Sequence, residues 1–265
     1  MDPESESIGR GRLVGRVVVV AGASTGIGRA CALRLAGEGA SVVVGAPAHE
    51  QALLDSLVRE IESRGQAAHA IAFDATDDAS VAALVAGAVD RFGGIDAFHA
   101  NFADLGIVPQ DTDAVRVPDL VFDRTIDVNL KGMLRATRHA IPHLVRRGGG
   151  AMIYTSSGAA ILGDAAMPCY AMSKSGLHAL MRHVATRWGK DNVRANALLP
   201  GFVITPEKKH LVPPDVASGV LASCRSTRLG RPEDIAAFVA LLASTDGEWI
   251  NGQCITIDGG MQLGR

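Results

Sequence analysis

The stretch that decides the fold is Val17-Val18-Val19-Val20-Ala21-Gly22-Ala23-Ser24-Thr25-Gly26-Ile27-Gly28. Its first five residues form a continuous apolar run rich in β-branched side chains, which is typical of a strand buried on both faces of a parallel sheet. From Gly26 to Ala36 the apolar residues follow helical spacing, and glycines end the helix just afterwards. The sequence therefore predicts a strand, a glycine-rich turn and a helix in direct succession.

The glycines of this turn permit a tight bend and a close approach of the backbone to a ligand. Free N–H groups at the start of the helix can then hold a pyrophosphate. A plain strand-to-helix turn is the alternative, because 30 of the 265 residues are glycine and the motif alone is weak. Its place directly after a buried strand favours nucleotide binding. The candidate contacts in the loop are Gly22, Ser24, Thr25, Gly26, Ile27 and Gly28.

Outward from the loop, strand and helix patterns alternate along the whole chain. Further strands are predicted at 41–44, 68–73, 97–100, 151–155, 193–199 and 254–257, with helices at 53–61, 79–92, 118–147, 170–188 and 235–243. Strict alternation with short connections predicts an α/β fold, a doubly wound, mostly seven-stranded parallel sheet with helices on both faces, the Rossmann fold.

The same pattern predicts a single domain over residues 13–265, preceded by a disordered segment at 1–12. A non-periodic stretch from Phe202 to about Arg225 contains three prolines. In a compact domain a loop of that length is usually a lid or a binding loop. We interpret about 202–226 as a substrate-binding loop.

Composition excludes several classes of protein. The 26 basic and 28 acidic side chains leave a net charge of −2, which removes the electrostatic argument for a nucleic-acid or anionic-membrane partner. No apolar run approaches the roughly 20 residues of a membrane span. The acidic N-terminus differs from a secretory signal, and the four cysteines form no CxxC pair, so we expect a cytoplasmic protein with reduced thiols. The eight histidines show no metal-ligand spacing, and we assign no metal site.

A second motif carries the chemistry. Tyr170-Ala171-Met172-Ser173-Lys174 falls on a predicted helix, and Ser156-Ser157 ends the strand before it. Residues four apart share a helical face, so the Tyr170 hydroxyl and the Lys174 ammonium can address one space. A neighbouring cation in a poorly solvated cleft lowers the pKa of a tyrosine, which makes Tyr170 a candidate general acid and base. Taken singly, each of these residues has a structural alternative: a core tyrosine, a helix-capping serine or a solvated lysine.

The motifs and their order resemble those of the short-chain dehydrogenase/reductase family, over about Leu13 to Gly260. The resemblance rests on the glycine loop, on Asp74-Ala75 after the third strand, and on Asn129-Leu130-Lys131-Gly132. It rests further on Ser157, the YxxxK pattern that Lys174 completes, and Pro200-Gly201-Phe202-Val203-Ile204-Thr205. It implies an NAD(P)-dependent oxidoreductase with a catalytic tetrad of Asn129, Ser157, Tyr170 and Lys174.

The resemblance implies that Tyr170 exchanges the proton with the substrate oxygen and that Ser157 orients this oxygen. Lys174 lowers the pKa of the tyrosine and holds the nicotinamide ribose, while Asn129 positions a water. Further cofactor contacts are implied for Asp74, Ala75, Asn101, Pro200, Gly201, Val203 and Thr205 besides Tyr170 and Lys174. Asp74 and Asn101 have an alternative role as helix caps.

Two departures from the family pattern concern the cofactor. Phe102 follows Asn101 and is expected to put bulk near the cofactor ribose. The segment Gly45-Ala46-Pro47-Ala48-His49 has neither the acidic residue of NAD-preferring members nor the basic residue of NADP-preferring ones. We expect NAD(P)(H), with a weak preference for NADP(H), because no carboxylate in that segment repels a 2′-phosphate.

The substrate remains open between several classes. Residues beside the tetrad are mostly apolar, which favours a lipophilic or cyclic secondary alcohol or ketone. They are Gly158, Ala159, Ile161, Leu162, Met167, Cys169 and Phe202. Basic residues on the 202–226 loop keep a carrier-linked 3-oxoacyl substrate open, and a non-catalytic nucleotide sensor or scaffold is the rival from another class. The resemblance also implies a homotetramer or homodimer, with the helices near 118–147 and 169–189 at one interface and the segment from Asn251 to Gly260 at another.

Overall fold

A computed structural model describes residues 11–207 and 209–263. The predicted disordered segment at 1–12 lies outside the described residues apart from its last two positions. One of these, Arg12, pairs with the buried carboxylate of Glu38.

The central sheet is parallel throughout the part of the chain described. Its order is β3-β2-β1-β4-β5-β6-β7, which reverses direction between β1 and β4. This confirms the predicted doubly wound sheet of seven strands. The strands are β1 (Val17–Ala21), β2 (Ser41–Ala46), β3 (Ala68–Ala72), β4 (Ala97–Ala100), β5 (Gly150–Thr155), β6 (Val193–Pro200) and β7 (Cys254–Ile257).

Helices cover both faces of the sheet. They are α1 (Gly26–Gly37), α2 (Gln51–Ser63), α3 (Asp78–Phe92), α4 (Asp119–Ile126), α5 (Gly132–Arg146), α6 (Pro168–Trp188), α7 (Pro214–Ser223) and α8 (Pro232–Ala243). One apolar core joins the sheet to α3, α5 and α6, and the other joins it to α1, α2 and α8. Successive side chains of β1 point to opposite faces of the sheet, so Val19 lies in the first core and Val18 in the second. No described helix is long and apolar enough to cross a bilayer.

The stretch predicted as mostly helical at 118–147 is helical, with a π-helical turn at Asp127–Lys131 between α4 and α5. The structure differs from the sequence prediction in a later segment. The stretch from Phe202 to Arg225, predicted to be non-periodic, contains α7. None of the α7 residues is buried, and two prolines at its start and Gly219 within it disfavour a helix in the sequence.

Candidate active site

The glycine loop lies between the carboxyl end of β1 and the first turn of α1. Gly26 adopts a φ of +54°, which disfavours any side chain. A Cβ on Gly28 would overlap the carbonyl oxygen of Gly22, so the loop keeps its backbone bare. Thr25 is the N-cap residue of α1, yet its side chain makes no capping hydrogen bond. The first N–H groups of α1 are therefore open to an anion, and the cradle fits a pyrophosphate.

Asn101 braces this loop from the neighbouring strand end. Its amide nitrogen donates to the carbonyl of Gly22 over 2.8 Å, so the side chain neither caps a helix nor points away from the loop. The Phe102 ring, which we expected to add bulk near the cofactor ribose, is buried and packs edge-on against Phe73, with centroids 5.4 Å apart. Bulk at this position fills the core beneath the loop.

Asp74 and Ala75 follow β3, as predicted. The Asp74 carboxylate accepts from the N–H and hydroxyl of Thr76, and these bonds lower its pKa. The capping alternative for Asp74 is wrong, because Asp77 caps α3 by accepting from Ala79. Asp74 is exposed at the sheet edge, where the cofactor contact implied for it requires it to be.

The segment after β6 packs against the end of β7 and against the glycine loop. Gly201 donates to the carbonyl of Ile257, and a Cβ there would lie 2.6 Å from the Cβ of Asp258. The Thr205 methyl lies 3.0 Å from the position a Cβ on Gly26 would take. Val203 forms an isolated parallel bridge with Gly230. The predicted contact residues at 200–205 and 22–28 therefore lie along one crevice.

Ser157, Tyr170 and Lys174 converge at the carboxyl end of β5. The Ser157 hydroxyl lies beside the phenol of Tyr170 and acts to lower its pKa, and it accepts from the N–H of Ala159 over 3.2 Å. Lys174 is 1% exposed, and its ammonium lies 5.6 Å from the centroid of the Tyr170 ring. The same ammonium donates to the carbonyl of Thr155 over 2.8 Å. A proton-bearing phenol, a hydroxyl partner and a buried cation thus share one space.

In the protein alone, burial has the largest effect on the pKa values of Tyr170 and Lys174. Desolvation raises the pKa of Tyr170, and the Ser157 hydroxyl opposes it. Desolvation also lowers the pKa of Lys174 to about 8. In the protein alone the net effect on the Tyr170 pKa is upward, and the lowering of this pKa by Lys174 stays a prediction. The phenol holds its proton at neutral pH.

Asn129 lies on the π-helical turn and is fully buried. Its Oδ1 accepts from the N–H of Asp104 over 2.8 Å, while its Nδ2 has no partner among the described residues. A buried amide group left with a free donor is costly unless a water or ligand completes it. The turn places the residue, but no direct hydrogen bond joins it to Tyr170 or Lys174.

Two residues that the sequence reasoning missed join the site. The buried carboxylate of Asp111 accepts from the N–H groups of Cys169 and Tyr170, at 3.1 and 2.8 Å, and so caps the first turn of α6. Glu50 accepts from the Ser24 hydroxyl over 2.6 Å, at the glycine loop. Asp111 lies 59 positions from Tyr170, and Glu50 lies 26 from Ser24, so no local motif links either pair.

The doubly wound sheet, its bare glycine loop and the clustered Ser157, Tyr170 and Lys174 define a Rossmann-fold oxidoreductase. A family profile described as enoyl-(acyl carrier protein) reductase matches residues 22–262. A probable short-chain type dehydrogenase/reductase of Bradyrhizobium diazoefficiens is 38% identical over 95% of this chain and 89% of its own length. The chain belongs to the short-chain dehydrogenase/reductase family, a family of NAD(P)-dependent oxidoreductases.

Other relatives act on different compounds. The 3-oxoacyl-[acyl-carrier-protein] reductase of Thermotoga maritima is 33% identical over 95% of this chain and 100% of its own length. The L-rhamnose 1-dehydrogenase (NAD(P)(+)) of a Sphingomonas species is 37% identical, over 95% and 98%. A solved 7α-hydroxysteroid dehydrogenase, complexed with NADH and 7-oxo glycochenodeoxycholic acid, superposes with a TM-score of 0.87 at 29% identity, over 96% of this chain and 97% of that one.

Proposed function

We propose that this protein interconverts a secondary alcohol and a ketone, with NAD(P)(H) as cosubstrate and Tyr170 as the general acid and base. The observation that carries the proposal is the phenol of Tyr170 beside the hydroxyl of Ser157 and the buried ammonium of Lys174. A sensor or scaffold has no need of an acid–base group in a crevice at the carboxyl ends of the strands.

Each residue then has a defined task. In reduction the Tyr170 hydroxyl donates its proton to the carbonyl oxygen, and in oxidation the phenolate takes it back. The Ser157 hydroxyl holds that oxygen, and the Lys174 ammonium favours the phenolate electrostatically. The free amide N–H group of Asn129 supports its predicted role in holding a water for proton exchange. The nicotinamide, when bound, supplies or accepts the hydride.

The two forms of the cofactor differ by one phosphate, and Glu50 bears on that difference. The weak preference for NADP(H) rests on the absence of a carboxylate at 45–49, whereas the Glu50 carboxylate lies directly against Ser24 of the cofactor loop. A carboxylate at this point repels a 2′-phosphate and accepts hydrogen bonds from a ribose hydroxyl. The local charge therefore weakens the case for NADP(H) and supports NAD(H) use.

An apolar wall supports a lipophilic or cyclic substrate. Leu162 and Phe202, 43% and 36% exposed, offer apolar surface on the segments that follow β5 and β6. Cys169, which we expected in the same wall, is 1% exposed and belongs to the core. The structure of the related steroid dehydrogenase with its bound oxo acid supports a substrate of this class.

The proposal is tested by a screen of ketones and secondary alcohols, followed by the absorbance of the reduced cofactor. Tyr170→Phe removes the acid–base hydroxyl and is expected to lower kcat by at least about a hundredfold, with cofactor affinity kept. Phe122→Leu, on the outer side of α4, serves as a control that leaves kcat unchanged. Cofactor binding without turnover on any substrate, and equal behaviour of the two variants, would establish the sensor alternative instead.

A carrier-linked 3-oxoacyl substrate is the second candidate. Lys209 and His210 are exposed, and Arg225 lies on the same late segment, so an acidic carrier or its phosphate arm has cationic groups to meet. The related 3-oxoacyl reductase of Thermotoga maritima supports it as well. Reduction of a carrier-bound 3-oxoacyl chain that is slowed severalfold by Lys209→Gln, with a free ketone unaffected, would favour this candidate.

We further propose a homodimer or homotetramer. A cavity of about 590 Å³ between α5 and α6 is lined mainly by apolar side chains, including Leu134, Ile141 and Leu180. Leu120 on α4 and Met172 on α6 expose further apolar surface, at 71% and 48%. These features support an interface on the helices of 118–147 and 169–189.

We also propose a cytoplasmic location. The four cysteines are free thiols, which supports it.

A further inference from the structure

A polar cavity, separate from the apolar cavity between α5 and α6, lies at the opposite edge of the sheet from the candidate active site. Its volume is about 660 Å³, and it is lined by residues at or just before the starts of β1, β4, β5 and β6 and by residues at and after the end of α8. Arg194 lies near the start of β6, whereas Pro200 ends the same strand beside the crevice. Pro200 is six positions further along the strand, or roughly 20 Å away. The two sites are on opposite edges of one sheet.

Three arginines line this polar cavity. Arg16 and Arg147 both approach the buried carboxylate of Asp96, at 3.6 and 3.1 Å. That carboxylate already accepts from the N–H of Val17 through its other oxygen. One carboxylate is therefore shared by two guanidinium groups and a backbone donor.

Arg194 has an N–H donor, on Nη1, that is without a partner among the described residues. Its Nη2 donates to the carbonyl of Leu242 over 2.7 Å and lies 3.4 Å from that of Ser244, while the Nη1 is buried. Glu248 is the other acidic residue of the cavity, and no ion pair joins it to Arg194 within the described chain. Burial lowers the pKa of Arg194, the charge of Glu248 opposes this, and the charge of Arg16 lowers the pKa further. An anion in the cavity would accept from the free Nη1 and offset the repulsion between the arginines.

We propose that this cavity, where Arg16, Arg147 and Arg194 meet, is a binding site for a small oxyanion that carries a phosphate or carboxylate group. Three guanidinium groups face two carboxylates, which leaves an excess of positive charge. An unpaired guanidinium N–H group recognises the oxygens of phosphate and carboxylate in a charge-assisted hydrogen bond. The cavity is also large enough for an organic acid, and the fully exposed indole of Trp249 stands at its wall.

Isothermal titration with inorganic phosphate tests the site, with succinate as a second probe to separate the two oxyanion chemistries. Phosphate also fits the glycine loop, so each titration is repeated with saturating NADH. Binding that persists in NADH supports the proposal. Binding abolished by NADH assigns the phosphate to the cofactor loop and overturns it, and the absence of binding at millimolar concentrations of both probes overturns it as well.

Arginine variants locate the bound anion. Arg194→Gln removes the free donor and is expected to weaken binding by about tenfold or more. Arg64→Gln, an equal change of charge at the exposed arginine that follows α2, should leave the affinity within about twofold. If Arg194→Gln fails to fold after losing its bonds to Leu242 and Ser244, Arg147→Gln is the second variant and should weaken binding severalfold. Equal effects of the Arg147 or Arg194 variant and the Arg64 variant would indicate non-specific attraction and overturn the assignment.

Discussion

At the scale of single residues, Tyr170 shows how burial and function compete. Desolvation raises the pKa of the phenol, so the protonated form is favoured in the folded protein. Reduction needs that protonated form, and oxidation needs the phenolate. Because the pKa of Tyr170 lies above the ordinary tyrosine value, we expect kcat for oxidation to rise with pH through the neutral and mildly alkaline range, while kcat for reduction stays level.

The measurement is a pair of pH–rate profiles at saturating substrate, from about pH 6 to about pH 9. An oxidation rate that is flat or that falls with pH would contradict a role for Tyr170 as the base. Ser157→Ala is informative in the same assay. Without the Ser157 hydroxyl, which opposes the effect of burial, the pKa of Tyr170 should rise further, and the rise in oxidation should move to higher pH.

Glu50 sets a second prediction at this scale. Glu50→Gln removes a negative charge beside Ser24, so the affinity for NADPH relative to NADH should rise about three- to tenfold, the effect being limited by the solvent around a partly exposed carboxylate. Fluorescence titration of both reduced cofactors measures it. Glu60→Gln is the matched control, because the two side chains are 32% and 31% exposed. An unchanged NADPH to NADH ratio in Glu50→Gln would exclude this carboxylate from the choice.

At the scale of elements, the first turn of α6 depends on a residue from a distant loop. Asp111 accepts from the N–H groups of Cys169 and Tyr170, so it holds the catalytic tyrosine by its backbone. Asp111→Ala should cost about 1–2 kcal/mol of stability and should also lower kcat. Asp77→Ala removes the cap of α3, which carries no tetrad residue, and should lower stability alone.

Thermal denaturation and steady-state kinetics of both variants separate the two effects, and Asp111→Asn, which keeps one acceptor oxygen, should restore part of kcat. If Asp111→Ala loses stability but keeps kcat, the cap is structural only. The comparison is sensitive because both variants remove one capping carboxylate, and only one of them touches the helix that bears Tyr170.

The helices and strands also differ in how well the sequence predicts them. Buried strands are predictable from the sequence because each carries its own apolar run, as in Val17–Ala21. The π-helical turn that holds Asn129 has no such signal, and α7 has no buried face. Asp111 and Glu50 act through pairs distant in the sequence. Motif spacing can point to Ser157, Tyr170 and Lys174, but not to the residues that brace them.

At the scale of the whole molecule, the parallel sheet gives the protein two chemically different edges. The carboxyl ends of the strands present a bare glycine loop and an acid–base group, and the amino ends present the arginine cavity. The helices α5 and α6 lie on one face of the sheet between these edges, and both contribute to the apolar core. Their outer surface nevertheless stays apolar, in the cavity near Leu134 and Trp188. Water-exposed apolar surface of this extent is typical of a subunit interface.

The last prediction concerns that surface. Leu134→Asp puts a charge into the apolar patch, where association would desolvate it, so we expect the assembly to dissociate to a smaller species. Light scattering at several protein concentrations measures the mass. Leu53→Asp on α2 is the matched control, because Leu53 and Leu134 are 44% and 43% exposed and only Leu134 lines the cavity between α5 and α6. A monomeric parent protein, or equal masses for the parent and Leu134→Asp, would exclude these helices as the interface. Dissociation that also lowers kcat would show that the α6 helix needs a neighbouring subunit to hold Tyr170 in place.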